Sequence, residues 1–266
     1  MTYRLTFLGT GSSGGVPRLG NQWGVCDPSE PRNRRRRCAV LIERFSKHGK
    51  TVVLIDTPPD LRDQLLAERV EHLDAVLFTH DHAEHTHGID ELRVLAFLMK
   101  RKIDVYFDAA TRESLLKRFD YCFLQRPGSS HPPILNPRDL TAGVPLTITG
   151  AGGPITATPV LQDHGELPSL GFRVGRLIYS PDIVGAPASS YPHFEGLDIM
   201  IVDALRPVPH PSHFSLPQAL AWIERFQPKR AVLTHMHIDL DYKALKRDLP
   251  AHIEPAYDGM QIEFEG

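Results

Sequence analysis

Ten consecutive residues constrain this chain more than any other feature: Thr79-His80-Asp81-His82-Ala83-Glu84-His85-Thr86-His87-Gly88. Four imidazoles and two carboxylates follow directly on the apolar run Ala75-Val76-Leu77-Phe78. Neutral imidazole nitrogens suit zinc, manganese or iron, and carboxylates add hard oxygen ligands. Residues two apart do not share a helix face, and adjacent residues on a strand point to opposite sides. His80, His82, Glu84 and His85 therefore converge only if the backbone turns. The pattern predicts a strand ending at Thr79, a tight loop, and a helix opening near Gly88. The bland alternative is a polar loop with no ligand. Its place at the C-terminal end of an apolar strand argues against that, because α/β proteins put their chemistry there.

The flanking sequence supports an α/β reading. Thr51–Ile55 is an apolar strand running into Asp56-Thr57-Pro58-Pro59. A helix is predicted from Asp60 to about Val70, then the strand Ala75–Phe78. Strand, helix and strand within about 30 residues form a βαβ unit with parallel strands. Ile89–Lys100 has a helical apolar stripe, Ile103–Phe107 reads as a strand and Thr111–Phe119 as a helix. The Pro-rich residues 126–138 read as a surface loop. Beyond Leu146 the texture is β, with a hairpin turning at Gly175. A helix from Ser215 to Phe226 follows, with Ser215 as N-cap. Near the N-terminus, Gly9-Thr10-Gly11-Ser12-Ser13-Gly14-Gly15 invites a dinucleotide-binding reading. Val16-Pro17 breaks any helix at once, so a tight loop lining a site fits better. The run Arg32-Asn33-Arg34-Arg35-Arg36-Arg37 is either a solvated face or a phosphate-attracting rim. Arg34, Arg35 and Arg36 are the candidate substrate contacts.

The 266 residues are 41% hydrophobic and 23% charged, with a net charge of -2. That suits one globular domain, residues 1–266, and gives no global field to select nucleic acid or anionic membrane. No apolar run reaches the ~20 residues of a membrane span. No export signal is recognisable, and three scattered cysteines suit a reducing cytoplasm, the expected location.

Several predicted strands end in a ligand-type side chain: Asp56, the His80–His85 cluster, His164, Asp182, Asp203 and His235. His213 lies just before a helix. Together these stretches resemble the metallo-β-lactamase superfamily. Leu54-Ile55-Asp56, Thr79 to His85, His164, Ser180-Pro181-Asp182 and Leu233-Thr234-His235 match its motifs in order. Phe7-Leu8-Gly9-Thr10-Gly11, His210-Pro211-Ser212-His213 and Tyr257-Asp258-Gly259-Met260 resemble the branch of the phosphoribosyl cyclic phosphodiesterase of phosphonate breakdown, with the RNA-processing RNase Z as a relative.

The resemblance implies a four-layer αββα sandwich of two mixed β-sheets flanked by helices, with two divalent metal ions (Mn or Zn) in the cleft. It assigns His80, His82 and His164 to one metal and Glu84, His85 and His235 to the other. Asp182 bridges, and Asp56 orients a ligand from behind; His237, outside what the resemblance assigns, is a further candidate for such a supporting place. Glu84 stands where the family has Asp, so the second site rests on a carboxylate longer by about one C–C bond, ~1.5 Å. One cysteine, Cys26, stands where the phosphonate-pathway enzyme has a cysteine-rich zinc site, so no such third site is expected. The expected activity is opening of a small cyclic phosphate or nucleotide-like phosphodiester by a metal-bridging hydroxide. His213 is the expected general acid, with Asp182 and Glu84 at the reacting centre. The alternatives are an RNase Z-like nuclease, which the near-neutral charge disfavours, hydrolysis of a thioester or lactam, and a non-catalytic metal- or nucleotide-binding protein. A homodimer is compatible with the sequence.

Overall fold

In the computed structural model, which describes residues 2–265, the strands divide between two seven-stranded mixed sheets. In chain order, the first sheet takes β1 (Thr2–Gly9), β2 (Ala39–Ser46), β3 (Gly49–Ile55), β4 (Ala75–Leu77), β5 (Ile103–Phe107) and β6 (Leu135–Asp139). The second takes β7 (Leu146–Ile148), β8 (Ile155–His164), β9 (Leu167–Val174), β10 (Leu177–Ser180), β11 (Ile199–Asp203), β12 (Arg230–Thr234) and β13 (Ile253–Pro255); β14 (Gln261–Glu265) returns to the first, beside β1. Each sheet is antiparallel on one side and parallel on the other. β3 through β6 run parallel, and so do β10 through β13. Parallel strands need crossover connections, and those supply the helices. These are α1 (Leu61–Ala67), α2 (Ala83–Thr86), α3 (Leu92–Met99), α4 (Ala109–Arg118), α5 (Asp120–Phe123), α6 (Leu216–Phe226) and α7 (Tyr242–Asp248).

Apolar residues on both faces of a strand require cover on both sides. Along β2, Val40 and Ile42 enter a core shared with Phe172, Leu177 and Tyr179 of the second sheet. Their neighbours Ala39 and Leu41 join a separate core with Leu61, Leu65, Leu92, Leu95 and Leu115 of α1, α3 and α4. That division is the αββα layering. On the second sheet, α6 contributes Ala219, Trp222 and Ile223 to the inter-sheet core cluster.

Two local expectations differ from the structure. The segment 126–138 is not all loop, since β6 begins at Leu135 and contains Pro137. β6 is the edge strand, where a missing N–H costs no ladder bond. The histidine stretch is also more ordered than a bare loop: α2 forms inside it, at Ala83–Thr86, ahead of Gly88. Gly88 is required there, because a Cβ would lie 2.0 Å from the Pro58 carbonyl oxygen.

Candidate metal centre

The first sheet delivers its ligand group on a single loop, and Asp56 fixes that loop. Asp56 is fully buried at the end of β3. It accepts from the Thr79 backbone N–H at 2.8 Å and the Thr79 hydroxyl at 2.8 Å, and its Oδ2 lies 2.7 Å from His85 Nδ1. The Thr79 hydroxyl, having donated to Asp56, can accept from His80 Nδ1, 3.0 Å away. His164, the last residue of β8, has its Nδ1 2.7 Å from the Ser212 carbonyl. The carbonyl can only accept, so His164 donates from Nδ1. Each of the three rings thus carries its proton on Nδ1 and leaves Nε2 free to ligate.

From the second sheet, Asp182 follows β10 and reaches the same point. Its Oδ2 is 3.1 Å from His85 Nε2, and its Oδ1 is 3.3 Å from His235 Nε2 and 3.8 Å from His164 Nε2. The Asp182 backbone carbonyl accepts from Ser169, and Gln162 donates to the Pro181 carbonyl, so a buried polar network holds this turn. Asp56, Asp182 and His235 all adopt left-handed backbone, with φ of 67°, 50° and 58°.

Among the described residues the side chains meet in five overlapping groups of three: two match the expected sites, and the others join His80, His85 and Asp182, then His164, Asp182 and His213, then Asp203, His213 and His235. His80, His82 and His164 bring one nitrogen each within 4.8 Å of one another; Glu84, His85 and His235 do the same with a carboxylate oxygen and two nitrogens. Glu84 sits in the first turn of α2, where its longer side chain still reaches His85 and His235. His80 Nε2, His85 Nε2, His235 Nε2 and both Asp182 oxygens are buried without a hydrogen-bond partner. Buried polar atoms are rarely left unpaired. Here they form an N/O donor set of the kind that divalent ions take, so the residues present fit a divalent metal. Burial holds the His80, His164 and His235 imidazoles below their ordinary pKa, leaving them neutral as ligation requires. Burial opposes charge on His85 as well, but Asp182 and Asp56 outweigh it and raise its pKa.

His213 lies at the edge of this centre, 3.8 Å from Asp182 Oδ1. Its Nδ1 is 2.7 Å from Asp203 Oδ2, with Asp203 fully buried at the end of β11. Burial works against the imidazolium, yet Asp203 raises the His213 pKa above its usual value. Asp203 stood out in the sequence as one strand-end carboxylate among several. Its partnership with His213 had no sequence signal, because it depends on the Asp203–Phe214 loop folding back so that Leu205 N–H donates to the Phe214 carbonyl.

Asp81, the other carboxylate of the histidine stretch, accepts from Ser114 at 2.5 Å and Arg118 at 3.1 Å on α4. Other expected residues lie elsewhere. His237, expected to orient a ligand, has its Nδ1 2.7 Å from Asp239 Oδ2. The arginine run, read as either a solvated face or a phosphate-attracting rim, is largely engaged within the chain. Arg35 is only 2% exposed, and it donates to the Leu240 carbonyl at 2.7 Å and the His237 carbonyl at 3.1 Å. Arg36 pairs with Asp258 at 3.1 Å, Arg37 pairs with Asp60 at 2.9 Å, and Arg34 stacks over Trp23. Cys26 is buried beside Arg35, its sulfur 3.4 Å from the Ile238 and Leu240 carbonyls. Arg35 thus ties the N-terminal loop to the segment after β12, where the His237 and Leu240 carbonyls accept from it.

Residues 51–236 match the model of a family described as a beta-lactamase superfamily domain. Over 97% of its length the chain is 31% identical to an octanoyltransferase of Porphyromonas gingivalis, and it spans about half of that relative's length, 51%. A crystal structure of a diphosphatase from the PhnP family superposes with a TM-score of 0.87 at 33% identity, covering 99% of this chain and 98% of the other. The Zn2+-bound PqqB of Methylobacterium extorquens shares the fold, with a TM-score of 0.69 at 16% identity over 97% of this chain and 99% of its own. With its ordered motifs, paired mixed sheets and converging histidines, the chain belongs to the metallo-β-lactamase superfamily, in its PhnP-like branch.

Proposed function

We propose that this hydrolase is a metal-dependent phosphodiesterase for a small cyclic phosphate or nucleotide-like diester. The observation that carries the reading is the convergence on Asp182 of His85, His164, His235 and His213. The likeness to a diphosphatase, 33% identical across nearly the whole chain, supports phosphorus as the centre attacked. His80, His82 and His164 would hold one divalent ion and Glu84, His85 and His235 a second, with Asp182 between them. Manganese and zinc both suit this donor set. When bound, such ions neutralise phosphate oxygens and lower the pKa of water toward ~7.

The chain's own residues supply order and proton transfer. Asp56 and Thr79 fix the tautomers of His85 and His80. Asp203 holds His213 with its Nδ1 proton inward, so that Nε2–H can protonate the departing oxygen. That transfer contributes about 10²–10⁴-fold in comparable sites.

The test combines metal content with a substrate panel: an aryl phosphodiester, a cyclic nucleotide, an aryl phosphomonoester and an octanoyl thioester. The reading expects two metals per chain and chelator-sensitive turnover of the diesters. His213→Ala should lower that turnover while keeping the metals. Turnover of the thioester alone, or one metal per chain and no turnover at all, overturns it. Loss of metal from His213→Ala would make His213 a ligand rather than the acid.

A further inference from the structure

We infer that Arg35 is a positioning residue for the metal centre: its buried guanidinium clamps the segment after β12 and so sets where His235 presents its ring. The inference deepens the proposed function and rests on its assignment of His235 to one metal position. His235 is the first residue beyond the sheet. The β11–β12 ladder ends at the pair Asp203–Thr234, and the β12–β13 ladder at Leu233–Pro255. Residues 235–241 then run outside any helix or strand up to α7, with one isolated bridge between Gly11 and Met236.

The His235 ring also lacks what aims the other three. His80, His85 and His164 each have a partner at Nδ1. His235 Nδ1 is buried with none, and Asp203 Oδ1 lies 3.8 Å away. Stacking on His213, with ring centroids 4.7 Å apart and 13° between planes, sets the tilt of the ring. Its place in the cleft follows from the main chain, which is left-handed at this residue.

That main chain is fixed from the N-terminal loop. Met236 N–H donates to the Thr10 carbonyl at 2.9 Å, and Val25 N–H to the Ile238 carbonyl at 3.0 Å. Arg35 spans the same stretch with both ends of its fork, reaching the His237 carbonyl from Nη1 at 3.1 Å and the Leu240 carbonyl from Nη2 at 2.7 Å. One planar group bonded to two carbonyls three residues apart stiffens the turn between them. Beside it, the Asn33 side chain accepts from Tyr242 N–H at 2.8 Å and donates to Asp241 at 2.6 Å. Arg35 is itself anchored, exchanging backbone hydrogen bonds of 2.9 Å with Val16 in both directions. Among the described residues no carboxylate lies within ion-pair distance of its guanidinium, which is 2% exposed as a residue. A charge buried in this way is costly unless hydrogen bonds compensate it. Here they go to a seven-residue stretch that begins at a metal ligand.

Cobalt(II) titration against a competing chelator tests this, with His80→Ala and His235→Ala showing which ion belongs to which position. Arg35→Lys keeps the charge but replaces the rigid fork with a single ammonium. It should bind the ion assigned to His235 about tenfold more weakly, with shifted d–d absorption, and leave the ion assigned to His80 unchanged. Arg35→Met should do the same or more; where it does not fold, Arg35→Lys decides. Arg37→Gln, which removes a charge from the same run, should change neither ion. A general loss of stability, followed by urea midpoint, would weaken both ions alike. Equal weakening of both, or unchanged binding of the His235 ion, overturns the inference, as does a wild-type protein that takes up no ion sensitive to His235→Ala. Turnover is not read, so a selective loss supports the clamp even if no diester is cleaved, an outcome that counts against the phosphodiesterase reading alone.

Discussion

The two sheets reach the same cleft by different means. The first sheet presents His80, His82, Glu84 and His85 on one loop and one short helix, all hung from Asp56. The second presents His164, Asp182, Asp203 and His235 from the ends of β8, β10, β11 and β12. Its candidate ligands His164, Asp182 and His235 are positioned by sheet register, strand beside strand, and Asp203 stands behind His213. The difference teaches where damage spreads. A fault behind the first group moves several ligands together, whereas a fault in the second removes one contribution and leaves its neighbours in place.

The largest effect should come where the two groups meet. Asp182→Asn removes the carboxylate charge facing His85, His164 and His235. Turnover should fall by about 10³-fold, with metal lost in elemental analysis. If the metals stay and activity falls less than tenfold, the two groups are not joined through Asp182.

Next is Asp56→Asn. Both His80 and His85 depend on Asp56, so affinity should fall by about 10–100-fold at both metal positions. Chelator competition measures it, and a loss confined to one position would break the picture of a loop moving as a unit. Asp203→Asn should behave in the opposite way, lowering turnover by about 10-fold or more with metal content intact. Combined with His213→Ala, it should add almost nothing, because the two act as one pair. The smallest effect is expected at Ser114→Ala, which takes one hydrogen bond from Asp81 and should weaken metal binding by only a few-fold, about 1 kcal/mol. A larger loss there would make α4 part of the centre's frame.

The same contrast explains what could be read from the sequence. The first group is legible because its ligands are neighbours in the chain and their spacing demands a turn. The βαβ unit around it follows from apolar runs and helix periodicity. His164, Asp182 and His235 could be gathered only through family resemblance, since no local pattern shows which strand ends become neighbours. The Asp203–His213 pair and the burial of Arg35 escaped for one physical reason: each depends on contact with a loop placed by the whole sheet. A run of arginines looks solvated until unpaired carbonyls about 200 residues away are seen to need it. The α2 helix was missed because four residues are too few to show a period.

The left-handed turns at Asp56, Asp182 and His235 have a consequence for how this centre can vary over time. That conformation costs most L-residues about 1–2 kcal/mol and is least costly for Asn, Asp, His and Gly. The backbone at those three positions therefore restricts the exchangeable residue types before any metal chemistry is considered. Glu84 lies on a helix, where glutamate is at least as favourable as aspartate. The one carboxylate that departs from the family pattern stands where the main chain imposes no such restriction. Drift in ligand identity, and with it in metal preference, has its open door on α2 and not at the strand ends.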